Sequence, residues 1–167
     1  MKILLNILVA LFAANTLWSQ EGPPEGGFTT FHVKAEDPYE YIDYLKENPQ
    51  FLAAGGGDVS GYCMTVSGHD YPGEMFIWNG FASLEDMMAN ATTYNPYAAP
   101  TALKNMRKIK YTSFWKTLTP FELTPGFERV TRVSIKPENV VAFLQSTEVL
   151  EAAMKAAGED FQLAVFA

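Results

Sequence analysis

The chain has 167 residues, 48% of them hydrophobic and 19% charged, with a formal net charge of -7. That is material for one to one and a half domains with a real core, and the acidic balance argues against nucleic acid and anionic lipid as partners. A single cysteine, Cys63, leaves no intramolecular disulfide, so packing must supply the stability.

The chain opens with "MKILLNILVALFAANTLWSQ", in which Lys2 precedes an apolar run over residues 3–14 and a more polar stretch ending in small Ser19. This layout predicts a signal peptide over residues 1–20, cleaved after Ser19 or Gln20, with an uncleaved N-terminal anchor as the alternative. A periplasmic or secreted location follows, and loss of Lys2 takes the net charge from -7 to -8. Residues 21–27, "EGPPEGG", read as a flexible tether.

"FTTFHVKA" sets Phe31 and Val33 against His32 and Lys34, a half-buried strand. Asp37 then caps a helix with Pro38 at its first position and Tyr41, Ile42 and Leu45 on one face. The spacing ends that helix near the glycines at 55–57. "DVSGYCMTVSG" and "EMFIWNGF" are two antiparallel strands joined by the turn "HDYPG". Ser83 and Asp86 form a capping-box pattern before a helix that puts Leu84, Met87, Met88 and Ala91 on one face. After "YNPYAAP" come a short helix near Leu103 and Met106 and a fourth strand, "KIKYTSFWKTL".

The order βαββαβ over residues 28–119 predicts an α+β, ferredoxin-like unit in which two helices cover one face of an antiparallel sheet. The other face is left wanting a partner. Past a linker at 120–127, residues 128–167 repeat the start of the plan: "TRVSIKPENVVAFLQ" follows "TTFHVKAEDPYEYIDYL", with Leu144 where Leu45 stood. This partial second βαβ unit lacks its third strand, second helix and fourth strand, and reads as a truncated frame or fragment. The expected assembly is an intrachain, barrel-like pairing of the two units, with self-association through whatever sheet stays exposed.

The βαββαβ order, the passage "GEMFIWNGFASLEDMMA" and the tandem repeat resemble the dimeric α/β barrel superfamily, which includes antibiotic-biosynthesis-type monooxygenases and NIPSNAP-like domains. The resemblance implies two sheets paired into a barrel, here within one chain. It implies no particular chemistry, since the superfamily spans cofactor-free oxygenases, haem-degrading enzymes, isomerases and proteins with no known activity. Haem-degrading members use a histidine on the second helix, and "SLEDMMANATTYN" has none.

Candidate site residues are few. His32, mid-strand and opposite in face to Phe31 and Val33, is a candidate proton acceptor or ligand contact, against a bland reading as a packed histidine. Asn79, which ends the third strand on the face opposite Trp78, is a candidate hydrogen-bonding group for an aromatic substrate, and Trp78, Tyr62, Tyr111 and Trp115 are candidate walls of its pocket, against ordinary core packing. His69, beside Asp70 and near Glu74, has no metal-ligand spacing and reads as a solvated turn residue. Cys63 and the Met87–Met88 pair read as core. No metal, no cofactor and no phosphate loop is expected. Three functions stay open: a module binding a small apolar or aromatic molecule or serving as an interaction scaffold, a cofactor-free monooxygenase-type enzyme on an aromatic substrate, and a structural protein.

Overall fold

Asp37 starts the first helix as its sequence demands: its carboxylate accepts from the backbone N–H groups of Tyr39 at 2.9 Å and Glu40 at 3.1 Å, with Pro38 supplying the fixed φ of the first turn. The computed structural model describes residues 26–167, so the expected leader and residues 21–25 of the tether lie outside the described residues, while Gly27, expected in the tether, opens the first strand. The elements run β1 (Gly27–Ala35), α1 (Pro38–Glu47), a short α2 (Gln50–Ala53), β2 (Val59–Met64), β3 (Glu74–Phe81), α3 (Leu84–Thr93), α4 (Thr101–Met106), β4 (Arg107–Lys116) and α5 (Val140–Ala156). The second capping site also holds, with Ser83 Oγ accepting from the Asp86 N–H at 3.0 Å and donating to its carboxylate at 2.6 Å.

The strands form one antiparallel sheet in the order β2-β3-β1-β4. This is the strand order of the ferredoxin-like unit, with β1 and β3 central. The core lies on one side of it, where Phe31, Val33 and Ala35 of β1 and Met75 and Ile77 of β3 meet Tyr41, Ile42 and Leu45 of α1 and Leu103 of α4. Strand alternation sends the residues in between to the other side, the open face. At the hairpin, Gly73 has φ +75° and its α-hydrogen faces the Ala35 carbonyl, against which a Cβ would stand 2.1 Å away. Only glycine fits there.

Two expectations need correction. Met87 is buried but Met88 is 55% exposed, because a helix turns by about 100° per residue and adjacent side chains do not share a face. The second correction concerns residues 128–167. Their helix forms, as α5, but residues 127–136 carry no sheet pairing and "FQLAVFA" contributes one antiparallel bridge, Thr117 to Phe166. No second sheet, and hence no intrachain barrel, is built among the described residues. The physical reason is that strand periodicity supplies an apolar face but not a hydrogen-bonding neighbour. The C-terminal residues find theirs at the end of β4: Ala167 N–H donates to Lys116 O at 3.0 Å, and Leu118 N–H to Val165 O at 2.8 Å. The 130–136 stretch finds none, and Val133 stays 57% exposed.

Candidate functional site

Pairing sets His32 of β1 across from Phe76 of β3 and Tyr111 of β4 on the open face. The imidazole stacks on the Tyr111 ring with centroids 4.1 Å apart and lies 5.2 Å from the Phe76 ring. A bulge helps to aim Tyr111: the β1–β4 register shifts between His32 and Val33, leaving Lys110 unpaired. Two residues before His32, on the same face, Thr30 Oγ1 accepts the indole N–H of Trp115 at 2.9 Å and sits 3.1 Å from His32 Nε2. The Thr30 hydroxyl, with two lone pairs and one proton, is able to accept from or donate to Nε2 according to the tautomer, while His32 Nδ1 is buried and without a partner. Burial holds the His32 pKa below the ordinary value; nearby Glu74 raises it and Arg132 lowers it further.

Trp78 completes the aromatic tier. Its ring lies over Gly61 of β2, where an added Cβ would come within 2.5 Å of the indole, and it meets Phe28 edge-on at 5.9 Å. Gly61 is therefore the bed of Trp78.

His32, Trp78, Tyr111 and Trp115 thus share the open face, whereas Asn79 and Tyr62 do not. Asn79 alternates with Trp78 and is 5% exposed on the helix side, its side chain filling the space where a Gly55 Cβ would stand. Tyr62 pairs with Ile77 and packs against the core cluster. It sits on the edge strand β2 and faces the helix side with Ile77, while Tyr111, on the opposite edge strand β4, faces the other side with His32.

Sequence reasoning missed Thr30, whose signal was its position two residues before His32 on a strand. It also missed the segment that crosses the open face. The Arg132 guanidinium reaches Tyr111 Oη at 3.4 Å, Glu128 approaches the Cys63 sulfur at 4.0 Å, and Phe121 packs on Phe28 at 5.4 Å. No local pattern announces such a crossing. Burial, followed by the charge of Glu128, pushes the Cys63 thiol up to about 11, so it stays protonated at neutral pH. No group of three or more His, Cys, Asp or Glu side chains placed to hold a metal occurs among the described residues, and no helix among them is long and apolar enough to cross a membrane.

No family model matches the chain, and no curated protein matches it. Among solved structures it is similar to SnoaB, a cofactor-independent oxygenase from Streptomyces nogalater, at 13% identity and a TM-score of 0.36, over 61% of this chain and 99% of that one.

Proposed function

We propose that the protein is an exported binding module that holds a small planar apolar or aromatic molecule on its open sheet face. The observation that carries this reading is the tier of rings around His32, in which Tyr111 stacks at 4.1 Å and Phe76 lies at 5.2 Å, flanked by Trp78 and Trp115. Such a face offers large apolar area with few polar groups to desolvate, which is the chemistry of small-molecule sites. The His32 Nδ1 beneath Tyr111 is buried without a hydrogen-bond partner, and an unpaired buried polar atom is costly. A hydrogen-bonding group of a ligand that displaced the phenol ring would satisfy it.

The enzyme alternative is weaker on the same geometry. Asn79, its hydrogen-bonding candidate, is on the other side of the sheet, and His32 Nε2 is engaged by Thr30.

Tryptophan fluorescence tests the binding reading. A neutral planar aromatic such as 1-naphthol should quench the emission saturably, and Trp78→Phe with Trp115→Phe should remove most of that change. A linear, non-saturating response equal in the double variant would dismiss the open face as a site.

A further inference from the structure

Arg107, the first residue of β4, is 7% exposed yet lies in no ion pair among the described residues. Its guanidinium donates to the Tyr41 hydroxyl and sits 4.7 Å from the Phe31 ring centroid and 5.7 Å from that of Tyr41. These contacts hold the cation without neutralising it. A buried charge with only neutral company is unusual, since desolvation is normally offset by a carboxylate. A guanidinium has five N–H donors and the phenol accepts one.

Arg107 also lines a cleft of about 270 Å³ beside the turn after α3. Its other walls are Pro96 and Tyr97, from the turn after α3, with Lys104, Lys108 and Ile109. Three cationic residues therefore line one cleft without a carboxylate in its lining, on a chain of net charge -7. Lys108 has Glu36 at 3.5 Å on the exposed rim, while Lys104 has no ion-pair partner among the described residues. The volume lies near the lower end of ligand pockets, and the remaining walls are apolar or aromatic.

We infer that this cleft binds a small carboxylate, its anionic group against Arg107 and its apolar body against Pro96, Tyr97 and Ile109. The planar guanidinium matches a carboxylate in two-pronged geometry, and the surrounding low dielectric strengthens the pair. The site is independent of the open face.

Benzoate and its neutral analogue benzamide are the probes, with backbone and side-chain NMR shifts as the readout. Benzoate should shift Tyr97 and Ile109 saturably at low millimolar concentration, and benzamide should bind roughly tenfold more weakly. Arg107→Met should abolish the benzoate response. Since that change also removes core contacts, Lys104→Gln, an exposed substitution, decides if Arg107→Met does not fold, and it should weaken benzoate by roughly twofold to fivefold with no effect on benzamide. Equal affinities for the two probes, shifts confined to His32 and Tyr111, or unchanged benzoate binding in Lys104→Gln would each overturn the assignment.

Discussion

His32 is 8% exposed and sits between two rings, and its titration gives the first test at the scale of a residue. Its folded pKa is lowered, chiefly by burial, so the unfolded chain binds the proton more readily. Stability therefore rises with pH through this window and is lost as pH falls below the unfolded value of about 6.5. Thermal melts between neutral pH and about pH 5, above the range where carboxylates dominate, should show the midpoint falling in the wild type and falling less in His32→Gln. Parallel curves for the two would mean that His32 is not held neutral. Gly61 supports a second test. Gly61→Val should evict the Trp78 indole from its bed, shifting tryptophan emission to the red and weakening any aromatic ligand of the open face. The cost in stability should be about 1–3 kcal/mol, the range for overpacking. A variant with unchanged emission would place the indole elsewhere.

At the scale of elements, the local chemistry of the sequence decided what it had the means to decide. Asp37-Pro38 and Ser83 with Asp86 fixed two helix starts because a cap is a contact between neighbours in sequence. Alternation in "FTTFHVKA" and "EMFIWNGF" fixed which residues of each strand alternate with its core side, and the β1–β3 pairing then shows that His32 and Trp78 share a face while Asn79 does not. Alternation does not say which strands are neighbours, so it does not show that Tyr62 and Tyr111, both candidate pocket walls, lie on opposite edges with β3 and β1 between them. It also does not say whether a strand finds a partner, which is why residues 130–136 pattern as a strand and do not form one. Leu45, 1% exposed on α1, tests the helix side of the sheet: Leu45→Ala should cost about 2–5 kcal/mol in denaturant unfolding. The crossing segment has its own test in Cys63. A thiol held at about 11 by burial and Glu128 should react with iodoacetamide far more slowly than a free thiol at mildly alkaline pH. Glu128→Gln should raise that rate. No change in rate would show that the segment does not lie over β2 in solution.

For the whole molecule, the imbalance is in residues 120–167. The first unit buries its apolar residues on the helix side of its sheet, but none of the seventeen residues of α5 is buried. Val141 is 66% exposed, Val149 70% and Leu150 51%, and Phe127 and Val130 ahead of them are 97% and 73% exposed. Apolar area in water costs about 25 cal/mol per Å² relative to burial, so an uncovered helix and the extended segment before it carry a driving force of several kcal/mol toward any complementary surface. A second copy of the chain presents the same surface and is always at hand. Self-association is accordingly expected at micromolar concentration, opposed by the acidic net charge and therefore favoured by added salt. Light scattering across a concentration series should give a mass that rises above the monomer, and more so at high ionic strength. Val141→Lys with Leu150→Lys should return it to the monomer while leaving the melting of the sheet unit unchanged. A wild-type chain that stays monomeric through the series and melts in one cooperative step would show instead that α5 and the segment before it pack within their own molecule.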